Sequence, residues 1–296
     1  MDIEGRVVVV TGGASGIGRA LSQAFGAAGA KGVVVADLDE PGALAVAETI
    51  PRALGVCTDV ADEASIRALV QTAEDTYGPV DIFCANAGIF ELGGAEVPDE
   101  AWQRIWAVNV LSHVYAARVL VPKMLERGEG YLVHTASAAG LLTQLGSAPY
   151  SVTKHAVVAL AEWLSITYGD SGIRVSCLCP QGVWTAMTGA VEREPSQVLG
   201  STAGRDGMLE PEQVADDVLA AIRAEQFLIL PHPEVATYEL RRAADRERWL
   251  RGMRRVQAVI AGSLPHDEAV AATAADRGAE TGGGETGGGE TGGSPD

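Results

Sequence analysis

Between residues 6 and 30 the chain runs from a β-branched segment, Arg6 to Val10, through the turn Thr11-Gly12-Gly13-Ala14-Ser15-Gly16-Ile17-Gly18 into a helical stretch from Arg19 to Ala30. Glycines spaced G-x-x-x-G-x-G between a strand and a helix let the backbone turn sharply and bring main-chain N–H groups up to an anion at a helix N-terminus. A pyrophosphate suits that arrangement, with Gly12, Ser15, Gly16, Ile17 and Gly18 as candidate contacts. Gly13 to Gly18 also has the spacing of a triphosphate-binding loop, but Arg19 and Ala20 follow where that loop needs Lys and Ser or Thr, which excludes it. The next apolar run, Gly32 to Ala36, ends on Asp37, about 20 residues beyond the turn, where a carboxylate accepts hydrogen bonds from an adenosine ribose. A 2′-phosphate beside Asp37 would be repelled, and Leu38 brings no cation to offset that, so Asp37 and Leu38 favour NAD over NADP. Arg19 is the residue that could oppose this preference, although it lies a turn into the helix.

Strand and helix signals alternate from there on. Strands are expected near Gly55 to Cys57, Ile82 to Ala85, Tyr131 to Thr135, Arg174 to Leu178 and Phe227 to Leu230, and the spacing predicts helices over 41–49, 62–77, 99–126, 150–169 and 211–224. Such alternation with short connections implies an α/β fold: a Rossmann-type, doubly wound parallel sheet with helices on both faces, forming one domain to about residue 231. Residues 232–262 read as one arginine-rich helix with Leu240, Trp249, Leu250, Met253, Val256 and Ile260 apolar, suited to docking on the domain, to a subunit contact or to covering a site. The low-complexity residues 263–296, rich in Gly, Glu and Thr, cannot bury a core and are expected to be flexible.

Tyr150 and Lys154 stand four apart in the predicted 150–169 helix, so they share a face and the ammonium can sit beside the phenol. A fixed positive neighbour favours the phenolate and draws a phenol's pKa from about 10 toward the operating pH. Tyr150 is therefore a candidate general acid/base. Ser137, upstream in the same stretch, would by itself read as a cap or turn residue, and no G-x-S-x-G elbow surrounds it to suggest a hydrolase.

Taken together, the glycine turn, Asp37, Asp59-Val60, Asn86-Ala87-Gly88, Asn109, Ser137 and Tyr150-x-x-x-Lys154 resemble the short-chain dehydrogenase/reductase family over about residues 3 to 231. The resemblance implies a seven-stranded sheet, NAD(P) as cofactor and hydride transfer between nicotinamide and a carbonyl or alcohol. It implies that Asp59 and Val60 flank the adenine, that Asn86, Ala87 and Gly88 line the cofactor, and that Asn109 holds a water in a proton relay with Lys154. It also implies that Ser137 holds the substrate oxygen, that Lys154 binds the nicotinamide ribose beside Tyr150, and that Val183 and Thr185 contact the nicotinamide amide and the pyrophosphate. The chain departs from the family at Ala85, where an asparagine is common, and at Gln181, where a glycine is usual. Homotetramers built through the helices carrying Asn109 and Tyr150 are the implied assembly.

In that family the substrate lies between the loop after the serine and the segment after the sixth strand. Here those places hold Leu141, Leu142, Gln144, Leu145, Trp184 and Met187, with Phe90 possible opposite. The expected substrate is a small, neutral, mostly apolar secondary alcohol or ketone, touching Ser137, Leu142, Gln144, Trp184 and Met187. A glycine-bearing segment from Thr188 to Gly207 suits a lid. Two other readings stay open: an NADPH-dependent 3-ketoacyl-type reductase, and a dinucleotide sensor without turnover.

The formal charge of −17 excludes nucleic acid and anionic membranes as natural partners. Cys57, Cys84, Cys177 and Cys179 lack disulfide or zinc spacing and read as reduced core thiols, with no metal implied. No apolar run approaches the roughly 18 residues of a membrane span and no leader is evident, so a cytoplasmic protein is expected.

Overall fold

The computed structural model of the 296-residue chain describes residues 1–188 and 206–262. Seven parallel strands form one sheet in the order β3-β2-β1-β4-β5-β6-β7. They are β1 Val7–Thr11, β2 Gly32–Asp37, β3 Ala53–Cys57, β4 Ile82–Ala85, β5 Gly130–Thr135, β6 Ile173–Leu178 and the short β7 Leu228–Ile229. Each lies where an apolar run lay in the sequence. Burial is complete in β1, β4 and β5, as a sheet covered on both faces demands, while the edge strand β3 is only half-buried. Registers such as Val9↔Val34 and Val9↔Phe83 align β2 and β4 on either side of β1.

The helices are α1 Gly16–Ala27, α2 Glu40–Glu48, α3 Glu63–Tyr77, α4 Asp99–Trp106, α5 Ser112–Arg127, α6 Ala139–Leu142, α7 Ala148–Tyr168, α8 Pro211–Ala224, α9 Glu234–Ala244 and α10 Arg246–Ile260. Local chemistry sets several starts. Asp39 and Asp62 cap α2 and α3 by accepting from the N–H groups of Gly42 and Ala64, and Ser147 caps α7 by accepting from Tyr150 N–H, with Pro149 in the first turn. On one face of the sheet, Leu21 and Phe25 of α1, Ala43 and Val46 of α2, and Val214, Val218 and Ile222 of α8 pack on Val8, Val10, Val33, Val35, Val133 and Leu178. Strand alternation sends Val9, Val34, Phe83, Leu132, His134 and Cys177 to the other face, under α3, α5 and α7.

Several expectations need correcting. The helix expected over 99–126 is interrupted by a π-helical turn, Ala107–Leu111, which holds Asn109. The Asp99–Arg127 run is long and apolar enough to cross a membrane by length and composition, with a mean hydropathy of 1.3, although no such run was expected. More than half of it is buried inside the fold, and it carries the buried Asn109 and His113, as a core helix would. The short α6 has no counterpart in the sequence expectations. The single helix expected over 232–262 is two, because Asp245 adopts an extended backbone and accepts the Arg248 N–H at 2.9 Å, starting α10 afresh. Cys57 is exposed, unlike the other three cysteines, and none is in a disulfide. The residues divide into two units, one ending at Leu240 and one starting at Arg241. The lid expected over Thr188 to Gly207 lies mostly outside the described residues.

Candidate active site

The sheet reverses its winding between β1 and β4, and the crevice beyond the carboxyl ends of those strands is where doubly wound sheets bind ligands. Thr11, at the end of β1, builds the floor. Its hydroxyl accepts from the N–H groups of Asn86 and Ala87 at 3.0 and 3.2 Å and donates to Cys84 O at 3.2 Å. Asn86 then joins three strands, donating to Thr11 O at 3.0 Å and accepting from the Thr135 hydroxyl at 3.1 Å.

Above this floor the glycine turn has no room for side chains. Gly12 has φ +66°, and a Cβ there would stand 2.9 Å from Ala87 Cα; one on Gly18 would stand 2.0 Å from Gly12 O. Ser15, the N-cap of α1, makes no side-chain capping bond, so the helix opens onto the crevice with uncapped N–H groups at Gly16, Ile17 and Gly18. Thr185, far along the chain, is folded back over this point, its Cγ2 within 3.0 Å of where a Gly16 Cβ would be. Asp37 sits at the mouth: Oδ2 accepts from Ala14 N–H at 3.0 Å and Oδ1 from Asp39 N–H at 3.1 Å, which leaves lone pairs on both oxygens. Leu38 beside it is 70% exposed. Asp59 is exposed at the end of the β3 segment and Val60 is buried behind it. These features fit a dinucleotide: an open helix N-terminus for a pyrophosphate and an anchored carboxylate for a ribose.

The residues expected to react lie past β4, β5 and β6. Lys154 is buried and donates from Nζ to Thr135 O at 2.9 Å; its ammonium is 5.5 Å from the Tyr150 ring centroid. Burial lowers the Lys154 pKa to about 8, against smaller opposing effects of the Cys179 and Cys177 thiols. Tyr150 differs from expectation. Burial raises its pKa above the ordinary value, and the opposing hydrogen bond from Ser137 does not overcome this, so the phenol rests protonated in the ligand-free chain. Ser137 is buried at the end of β5, its hydroxyl 3.4 Å from Pro180 O and accepting from Ala139 N–H at 3.1 Å. Phe90 stands against Tyr150 with ring centroids 4.9 Å apart.

The Asn109 side chain is committed elsewhere than at Lys154. It accepts the Ile89 N–H at 2.8 Å and donates to Ile89 O at 2.9 Å and to Thr153 Oγ1 at 3.2 Å. A Cβ on Gly88 would lie 3.4 Å from Asn109 Oδ1 and 3.5 Å from Lys154 Nζ, so Gly88 is the small residue between them. Val183 is buried and bridges to Leu209, while Trp184 is half-buried and Met187 exposed. Leu142 is buried at the end of α6. The main chain of Gln144 is clamped by the Ser151 hydroxyl at 2.9 and 3.1 Å, next to Thr143 with a φ of +89°, a strained angle for a β-branched residue. Sequence reasoning passes over Thr11, Thr135 and Thr153, because a main-chain carbonyl or an internal hydroxyl leaves no spacing signature.

A crevice of this kind suits a dinucleotide-binding protein of the doubly wound class. Comparison with known proteins narrows the class: the family model described as short chain dehydrogenase matches residues 6–196. The chain is 37% identical over 246 residues to 1-deoxy-11-beta-hydroxypentalenate dehydrogenase of Streptomyces exfoliatus, covering 79% of this chain and 86% of that one. It is 36% identical over 225 residues to 3beta-hydroxysteroid dehydrogenase 2 of Eggerthella lenta, covering 72% and 86%. A solved short chain dehydrogenase/reductase from Burkholderia phymatum, in complex with NAD, superposes with a TM-score of 0.76 at 32% identity over 83% of this chain and 96% of that one. The chain belongs to the short-chain dehydrogenase/reductase family. It is an oxidoreductase that interconverts hydroxyl and keto groups using NAD or NADP.

Proposed function

We propose that the chain is an NAD-dependent secondary-alcohol dehydrogenase or ketone reductase in which Tyr150 is the general acid/base. The observation that carries this reading is the juxtaposition of the Lys154 ammonium and the Tyr150 ring at 5.5 Å, with the Ser137 hydroxyl acting on the same phenol. Gly12, Ser15, Gly16, Ile17, Gly18 and Thr185 would hold the pyrophosphate, Asp37 and Leu38 the adenosine ribose, and Asp59 and Val60 the adenine. Asn86, Ala87 and Gly88 would line the cofactor, Lys154 and Tyr150 would take the nicotinamide ribose, and Val183 its amide. When bound, the dinucleotide supplies the two-electron acceptor or donor. The chain's own residues manage the proton. Ser137 turns its hydroxyl from Pro180 O to the substrate oxygen and fixes the carbon in place. In ketone reduction the protonated Tyr150 donates to that oxygen; in alcohol oxidation its phenolate accepts the hydroxyl proton, a direction favoured as pH rises because burial keeps the resting phenol protonated. Lys154, with a pKa of about 8, is mostly charged at neutral pH and stabilises the phenolate. Asn109 holds the Ile89 main chain and lines the relay beside Gly88.

Asp37, with both oxygens fixed by main-chain N–H groups, supports NAD, since a 2′-phosphate would meet a carboxylate that cannot turn away. Phe90, Trp184 and Met187 support an apolar substrate, as does the hydroxysteroid named for one relative. The pentalenate named for another makes a hydroxy acid the informative control in a substrate panel. Cofactor absorbance measured with secondary alcohols and NAD, then NADP, tests the cofactor. Tyr150→Phe tests the mechanism: NADH binding should change less than about threefold while kcat falls by about 10³ or more. Turnover of that variant near the unsubstituted level removes the assignment.

A further inference from the structure

The loop after β6 leaves the family pattern at Gln181, and the peptide unit joining Pro180 to Gln181 is bonded on both edges. Its carbonyl accepts from Ala138 N–H at 2.8 Å and faces the Ser137 hydroxyl at 3.4 Å. Its N–H donates to Nδ1 of His232 at 3.3 Å. In a trans peptide the C=O and N–H lie in one plane and point opposite ways, so fixing one fixes the other. We propose that His232 is a positioning residue for the reaction: by accepting the Gln181 N–H it sets the plane of the peptide whose carbonyl holds the Ala138 N–H, and so the main chain from which Ser137 turns its hydroxyl to substrate. This deepens the reading of Ser137 as the substrate-binding serine and rests on it.

The choice of side chain is informative. His232 is 3% exposed, and besides accepting the Gln181 N–H at Nδ1 its ring has the Gly207 main chain as a hydrogen-bond partner, while the Gln181 Oε1 beside it is buried. Taking an imidazole out of water costs stability that an apolar side chain of similar size would not, so packing alone does not account for it. What it uniquely offers is Nδ1 as an acceptor. An accepting Nδ1 means a neutral ring with its proton on Nε2. Protonation at Nδ1 would remove the acceptor and release the peptide. The groups facing the ring are Glu234 on the adjoining α9, Asp206 and the Gly207 main chain before α8, and Asp217 on α8; all favour the charged ring. Burial opposes them and prevails, so the ring stays neutral and the contact made at pH 7. Asp206 is itself held by the Tyr238 hydroxyl at 2.8 Å.

Two replacements separate positioning from packing. In an asparagine the side-chain Oδ1 falls near the place of Nδ1 and can accept the Gln181 N–H; a leucine fills similar space and cannot. With an alcohol substrate and NAD, His232→Leu should lower kcat by about tenfold with the cofactor KM moved less than about twofold, and His232→Asn should recover most of that loss. Both variants lose the ring, so a merely structural role would make them fall together in activity and melting temperature. A second readout needs no turnover: in the ¹⁵N-labelled chain the Gln181 amide proton should shift as pH falls from 7 to 4.5, following His232. Equal activity of the two variants, or a Gln181 amide that stays unmoved while the His232 ring itself gains its proton, overturns the proposal. If Tyr150→Phe shows the catalytic reading to be wrong, the Gln181 titration still decides whether His232 holds this peptide.

Discussion

At the scale of single residues, the site is assembled from side chains that the fold holds at a cost. Lys154 has an unfolded pKa near 10.5 and a folded pKa of about 8. The unfolded chain therefore binds the proton more tightly: the stability open to this group is present in full above 10.5, is lost as pH falls toward 8, and is absent at neutral pH by about 3 kcal/mol. Lys154→Met should thus abolish turnover yet raise the unfolding free energy of the cofactor-free chain by about 1–3 kcal/mol in urea titrations at pH 7. A less stable variant would mean that the bond to Thr135 O outweighs the burial of charge. His113 and His134 present the same balance away from the chemistry. Their Nδ1 atoms are 2.9 Å apart and both rings are buried, so one nitrogen donates and the other accepts while both rings stay neutral. Burial lowers His134 to about 4 and His113 well below 6.5, with Lys154 adding to the effect on His113. The stability they contribute is present above 6.5 and lost as pH falls toward 4, about 3 kcal/mol for His134. Urea midpoints at pH 7 and 5 should differ in the native chain and draw together in a variant carrying His113→Leu and His134→Leu. An unchanged gap would place the acid sensitivity elsewhere.

At the scale of elements, the legible parts of the sequence are those where backbone sterics leave one choice. The turn before α1 could be read because Gly12 must adopt φ +66° and Gly18 must approach Gly12 O, and no other residue does both. The Tyr150 and Lys154 pair could be read because four residues along α7 make one face, although the resting pKa of Tyr150 could not, since it depends on burial that spacing does not encode. The π-helical turn at Ala107–Leu111 was illegible: one added residue in a turn leaves the apolar pattern of the surrounding helix almost unchanged. Yet that turn swings Asn109 inward, where its amide satisfies both the N–H and the C=O of Ile89, in a loop with no sheet ladder to do so. Asn109→Ala should leave both groups unpaired and cost about 2–4 kcal/mol of unfolding free energy by urea denaturation, as well as activity. A variant as stable as the native chain would mean that the bonds to Ile89 add no net stability.

At the scale of the whole molecule, regular alternation was enough to give seven parallel strands and two helical layers, but not the strand order, which is a property of how crossovers wind. That order decides the site, because the reversal between β1 and β4 brings Gly12 against Ala87 and opens the crevice there. The break at Asp245 was also hidden, since the apolar spacing continues across it and a lone Asp reads equally as surface charge. The surface raises the remaining question of assembly. Val152 (47% exposed), Trp163 (55%) and Ile166 (83%) lie along α7 at spacings of eleven and three, which places them on one outward stripe. Trp163 is steadied edge-on by Tyr168 at 5.8 Å, so a large ring is held in the solvent-facing layer rather than folded away. An apolar stripe of that kind on the helix that carries Tyr150 and Lys154 fits a self-complementary contact between identical subunits, as expected for a homotetramer. Sedimentation should then give a tetramer for the native chain and a smaller species for Ile166→Asp or Trp163→Asp, with the circular dichroism unchanged. Because α7 also positions Tyr150 and Lys154, the same variants should lose activity in proportion to the dissociated fraction and regain it as protein concentration is raised. A native chain that sediments as a monomer, or variants that keep their size, would show that this stripe serves some other purpose.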